Sequence, residues 1–234
     1  MKILALESSA VAASAALCED ETLLGEYTLQ NGNTHSETLL PLAEALLRSF
    51  SLSADDVDLF AVSAGPGSFT GVRIGCATLK GLAFGTNKPC LGVSTLEALA
   101  QNLIGQDGLI CPVMNARRGQ VYTALFSCKD QALTRLLPDS AMAITELDEL
   151  LSQYEEPVML VGDGYEITEA AMKHPIRPTP HRLRPQSAYS VAQVAKRMYD
   201  SGVRTDDISL VPVYLRPSQA ERERTERLKA QSNH

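Results

Sequence analysis

The 234-residue sequence predicts an α/β fold in two related lobes of the βββαβα type. Three observations predict it. From residue 3 to residue 103, apolar runs of strand length alternate with apolar residues at helical spacing, in the order three strands, helix, strand, helix, strand, helix. A second hairpin restarts that plan at Ile110. When Glu7 is aligned with Asn115 the hairpins keep step, with Ala16-Leu17 over Ala124-Leu125.

The elements follow in chain order. Ile3–Leu6 reads as a fully buried strand, and 13–17 and 22–29 as two more. Asn31-Gly32-Asn33-Thr34 is a loop. Thr34 and Glu37 have capping-box spacing before a helix whose Leu39, Leu42, Ala43, Leu46, Leu47 and Phe50 share one side. Pro41 inside that helix lacks an amide donor and is expected to kink it. A strand at 59–63 leads through Gly65-Pro66-Gly67 into a helix at about 70–85, with Ser68 or Thr70 as its cap. A strand at 90–93 and a helix at 95–103 close the first lobe, residues 1–105. The second lobe, 106–216, is read as strands at 110–115 and 120–126, a helix at 145–154, a strand at 158–161, and helices at about 165–172 and 188–199. The stretch from His174 to Pro185, with four prolines, is read as a loop. Residues 217–234 form a charged tail in which Glu223 and Arg227 stand one helical turn apart.

The most specific stretch is Gly65-Pro66-Gly67-Ser68-Phe69-Thr70-Gly71-Val72-Arg73-Ile74-Gly75. Gly71 and Gly75 are four apart, as are Ala77 and Gly81, and Gly81 and Gly85, so one helix face is nearly bare backbone. Such a face packs closely either on its own sheet or on another helix.

Composition narrows the function classes. The net charge of −7 argues against broad RNA binding by the chain alone, since phosphate neutralisation supplies most of that affinity. Five cysteines with no Cys-x-x-Cys argue against a disulfide framework or a zinc site and point to reduced thiols in a cytoplasmic protein. The N-terminus reaches Glu7 too soon for a signal peptide, and the 70–85 helix, carrying Arg73 and Lys80, is too short and charged to span a membrane.

The glycine stretch resembles the signature of the bacterial TsaB family, also called YeaZ, a partner in making threonylcarbamoyladenosine on tRNA. Ile3-Leu4-Ala5-Leu6-Glu7-Ser8-Ser9, His35 with Leu39-Leu40-Pro41, Gly92-Val93-Ser94-Thr95-Leu96 and Pro212-Val213-Tyr214-Leu215-Arg216 fit the same family. Glu7 departs from it, because Asp is commoner there. The two-lobed reading and the resemblance both imply the actin-like ATPase (ribonuclease H-like) fold. The resemblance further implies a noncatalytic scaffold. It would pair with a TsaD-like catalytic subunit and recruit a TsaE-like ATPase. It would meet tRNA only through that complex and form a homodimer when its partner is missing. No cofactor is required by the chain itself, and an adenine nucleotide is expected in the complex.

Candidate residues follow. For a phosphate in the interlobe cleft, the first lobe offers Glu7, Ser8 and Ser9 and the second offers Gly162-Asp163-Gly164, chiefly through Gly162 and Gly164; the alternative is that both sets simply close tight turns. No Gly-x-x-x-x-Gly-Lys-Ser/Thr loop is present. The four histidines, His35, His174, His181 and His234, lack the H-x-x-x-H spacing through which the TsaD relative holds its metal, so no metal ligands and no catalytic residues are assigned. Gly-x-Ser-x-Gly is absent. The partner surface is expected on the 35–49 and 70–85 helices, through His35, Leu39, Leu42, Leu46, Gly71, Gly75, Thr78 and Leu82.

Overall fold

The computed structural model describes residues 1–30, 32 and 34–216. The tail residues expected to pair, Glu223 and Arg227, lie outside them, as do Arg222 and Arg224. The described chain forms an actin-like, two-lobed α/β fold around two sheets. The first has strand order β3-β2-β1-β4-β5. Its strands are β1 (Lys2–Glu7), β2 (Ala13–Glu19), β3 (Thr22–Leu29), β4 (Leu59–Gly65) and β5 (Cys90–Ser94). The second, in order β8-β7-β6-β9, is built from β6 (Gly108–Asn115), β7 (Gln120–Lys129), β8 (Ala132–Ala143) and β9 (Val158–Val161).

β1 is central, antiparallel to β2 and parallel to β4, and both of its faces are buried. Alternation therefore sends Leu4 and Leu6 to one core and Ile3 and Ala5 to the other. The first core is closed by α1 (His35–Ser49) and α2 (Phe69–Ala83), whose Leu39, Leu46, Val72 and Leu79 cover Leu4, Phe60 and Val62. On the other face, the alanine-rich surface of Ala5, Ala16 and Ala61 receives α6 (Ala188–Asp200) through Ala188, Val191, Ala192 and Ala195. Between the sheets lies α3 (Thr95–Gln101), with Ala98 in that core and Leu96 and Leu99 packed on Ile110, Phe126 and Val161 of the second sheet. The outer face of the second sheet is covered by α4 (Ile144–Leu151) and by Tyr165, which begins α5 (Tyr165–Glu169).

Four readings need correction. β8 was missed: it is an edge strand that tolerates Pro138, and its register against β7 shifts twice, so no clean alternation marks it. α6 falls in the range assigned to the second lobe but packs on the first sheet, and Leu210 also joins the first-lobe core. The capping box at Thr34 does not form; Thr34 makes no side-chain cap and its hydroxyl lies 3.1 Å from Ser36 Oγ. The hairpins do not keep step throughout, because Glu7 pairs with Ser14 while Asn115 pairs with Val121, a loop one residue shorter.

The lobes are tied through α3 and the residues flanking it. Ser94 Oγ donates to Asp139 at 2.5 Å, Arg135 pairs with Glu97 at 2.9 Å, and Asn102 Nδ2 donates to the Leu183 carbonyl at 2.9 Å.

Candidate functional site

The glycine stretch is where the fold is most tightly fitted. β4 ends at Gly65, whose φ of +122° suits glycine. Ser68 caps α2 by accepting from Gly71 N at 3.3 Å, and its own amide donates to Ser9 O at 2.7 Å. A Cβ on Gly71 would stand 2.1 Å from Ser8 O, and one on Gly75 would stand 2.4 Å from Ser8 Oγ. Ser8 Oγ donates to Gly71 O at 2.9 Å. The first-lobe hairpin is thus pressed into the bare face of α2. Gly71 and Gly75 pack on their own lobe and are not available as partner contacts. Gly81 differs, since a Cβ there meets nothing within 4 Å.

The other interface candidates divide in the same way. Leu39, Leu42 and Leu46 are buried in the first-lobe core, at 0%, 9% and 1% exposure, because their side of α1 faces the sheet. His35 is half-buried, with Nε2 2.7 Å from Ala10 O, while Thr78 and Leu82 lie at the half-exposed margin of α2. What the helix pair presents outward is Leu40, Pro41 and Glu44 from α1 and Arg73, Ala77, Gly81 and Phe84 from α2 and its end. Leu40 is 41% and Phe84 80% exposed. The apolar stripe of α1 was legible, but α1 uses it on its own sheet.

Glu7 sits at the end of β1 and is fully buried. Its carboxylate accepts from Ser9 N and Ser9 Oγ, both at 2.6 Å, and from Ser63 Oγ. Burial holds this carboxyl above its ordinary value of 4.5, against the opposing hydrogen bonds of Ser63 and Ser9. The folded state therefore holds the proton more firmly than the unfolded chain. The stability this provides is complete below pH 4.5 and is lost as pH rises through the folded value. Glu7→Gln cannot titrate, and its amide would set a donor against serine donors, at a cost of about 2 kcal/mol. Urea titrations of both chains are expected to give a midpoint gap that narrows as pH is raised from 4.5 towards neutrality. A constant gap would mean that Glu7 does not titrate across that range.

The second lobe repeats this device. Asn115 Oδ1 accepts from Arg117 N at 2.8 Å, as Glu7 accepts from Ser9 N. Gly162, with φ of +119°, ends β9 as Gly65 ends β4, and a Cβ there would stand 2.2 Å from Val113 O. Gly164 N donates to Val113 O at 3.0 Å. Both glycines face β6 and close a strand-to-helix turn.

A cleft of about 840 Å³ opens between the lobes, bordered by Ser9, Phe69, Asn115, Arg117, Tyr122 and Asp163. Of Glu7, Ser8, Ser9, Gly162 and Gly164, Ser9 alone borders it. Glu7 and Ser8 are buried beneath, and Gly162 and Gly164 are spent on the turn. Asp163, the middle residue of the second-lobe candidate stretch, does border the cleft. Loss of surrounding water pushes its carboxyl pKa up, against the hydrogen bond from Gln186.

The remaining reactive groups are turned inward. All five cysteines are buried and unpaired, and burial pushes the thiols of Cys18 and Cys111 up to about 12 and those of Cys76 and Cys90 up to about 11. Among the described residues, no three His, Cys, Asp or Glu side chains converge as a ligand set, and no helix is long and apolar enough to cross a membrane. In the 177–184 basic cluster, Arg184 pairs with Glu166 at 2.6 Å and Arg177 donates to the Asp107 carbonyl at 3.1 Å.

Two lobes in which the strand parallel to the first, β4 or β9, gives way to a positive-φ glycine, and which meet at a cleft, define a protein of the actin-like ATPase fold class. The activator of 2-hydroxyisocaproyl-CoA dehydratase from Clostridium difficile, solved with bound ADPNP, shares that fold alone, with 11% identity and a TM-score of 0.50 over 88% of this chain and 99% of its own. YeaZ from Pseudomonas aeruginosa superposes with a TM-score of 0.80 at 25% identity, over 92% of this chain and 99% of that one. The family model described as "TsaD: tRNA N6-adenosine threonylcarbamoyltransferase" matches residues 26–223. The tRNA threonylcarbamoyladenosine biosynthesis protein TsaB of Bacillus subtilis is 33% identical, across 94% of this chain and 96% of its own length. TsaB of Escherichia coli is 32% identical, across 71% of this chain and 73% of its own. The chain belongs to the TsaB (YeaZ) family, and its role lies in tRNA threonylcarbamoyladenosine biosynthesis.

Proposed function

We propose that this chain is a noncatalytic scaffold that binds and orients a TsaD-like catalytic subunit through the outward faces of α1 and α2. The observation that carries this reading is the exposed strip of Ala77 and Gly81, flanked by Phe84 and Leu40. Small residues on an exposed helix let a second helix approach closely, and exposed apolar side chains at the margin reward its arrival. In the absence of the partner the same face pairs two copies of this chain. A TsaE-like ATPase and an adenine nucleotide join the assembly, which adds the threonylcarbamoyl group to the adenosine beside the anticodon in tRNAs reading ANN codons. With a net charge of −7, the chain meets tRNA only within that assembly, in the cytoplasm.

The kinase-like alternative would use the interlobe cleft. It is disfavoured because the carboxylate on the first strand, Glu7, points into the protein and is consumed by Ser9 and Ser63. Reconstitution separates the two readings. The TsaD-like and TsaE-like subunits, tRNA, ATP and the threonylcarbamoyl donor are expected to yield modified tRNA with this chain and none without it. The isolated chain is expected to turn over ATP at background rate. Steady turnover by the isolated chain, or full modification in its absence, would overturn the scaffold reading.

A further inference from the structure

We propose that Val211–Arg216 is a latch that fixes the opening of the interlobe cleft. The segment leaves the first lobe and reaches the second across the cleft mouth. On the first lobe, Val213 N donates to Ala64 O at 2.7 Å. The fit is close, since a Cβ on Gly65 would stand 2.2 Å from Val213 O. The Tyr214 ring stacks on Phe69, with centroids 4.5 Å apart and planes inclined by 25°. On the second lobe, the Arg216 guanidinium donates to Gln120 Oε1 and, at 3.4 Å, to the Ala116 carbonyl, both in the β6–β7 hairpin.

Among the described residues the lobes are also tied through α3, by the Glu97–Arg135 and Ser94–Asp139 pairs, and where Gln186 Nε2 donates to Asp163 Oδ1 at 3.4 Å. The segment adds an attachment at the cleft mouth, which restrains any opening that those ties leave free. The latch is built for release as well as for closure. Val211 and Val213 are 61% and 51% exposed, so few buried apolar contacts hold the segment down, and its grip rests on a stacked ring and a guanidinium. Gly65 at the end of β4 thus serves two ends, a left-handed turn and a seat for this segment.

The test uses the full chain. Spin labels at Ser36→Cys in the first lobe and Arg118→Cys in the second, both exposed, report lobe separation by pulsed electron paramagnetic resonance. The native cysteines are buried, so the introduced thiols take the label. Tyr214→Ala and Arg216→Ala are each expected to lengthen the mean separation and broaden its distribution. Unchanged distributions in both variants would overturn the latch. Hydrogen exchange in the chain without substitutions gives a second reading that does not depend on a variant folding. The Val213 amide, bonded to Ala64 O, is expected to be protected there. Exchange of Val213 at the rate of a free amide in the native chain would also overturn it.

Discussion

Gly71→Val is expected to lose about 3 kcal/mol of stability, roughly 6–12 °C in melting temperature. The first added carbon already stands 2.1 Å from a backbone oxygen, Ser8 O, which has no rotamer to escape into. Relief requires moving either the hairpin that carries Ser8 or the whole of α2. Moving the hairpin breaks the Ser8 Oγ to Gly71 O bond and disturbs Ser9, which holds Glu7. Gly81→Ala is the opposite case on the same helix. Its Cβ meets nothing within 4 Å, so the chain keeps its packing and gains helix propensity, worth about 0.5–1 kcal/mol. Thermal unfolding of the three proteins checks both signs. Equal melting temperatures would contradict the division of α2 into an inward and an outward glycine row.

Ala77→Arg is expected to leave the fold intact and weaken binding of the TsaD-like subunit at least about 100-fold, close to 3 kcal/mol. Ala77 is exposed on α2, so the new side chain costs the isolated chain little. In a close helix-to-helix contact it would hold the surfaces apart and bury an unpaired charge. Titration calorimetry with the partner subunit reads the affinity, and Lys129→Ala at the end of β7 serves as a control on the other lobe. Unchanged affinity for Ala77→Arg would move the partner surface off α2.

The two predictions also mark how far the sequence could be read. Spacing showed that Gly71 and Gly75 share a helix face, and that Leu39, Leu42 and Leu46 fall along one side of α1. It could not say which way either face turns, because a sheet and a partner helix both reward an apolar, small-residue surface. Leu46→Glu, a natural probe of the expected interface, would instead place a charge in the first-lobe core, where Leu46 is 1% exposed. Runs buried on both faces, such as β1 and β4, were plain. β8 was not, because an edge strand with bulges and Pro138 carries little periodic signal. The cleft has contributors from six separate stretches of chain. Ser9 and Asp163 lay in the stretches weighed for a phosphate, whereas Asn115, Arg117 and Tyr122 reach the cleft from a hairpin read only as a repeat of the first. Aligning the two hairpins set Glu7 over Asn115, and each does receive the amide two residues on, although the strand pairing beyond them is one residue out of step.

The return of α6 to the first sheet has a consequence for synthesis. On the ribosome, the first sheet emerges with Ile3, Ala5, Ala61 and Leu91 uncovered, and the helix that seals them is made only after the whole second sheet. One side of the first lobe therefore stays sticky through the synthesis of the second. A prematurely terminated chain ending before Ala188 would carry that alanine-rich surface permanently exposed.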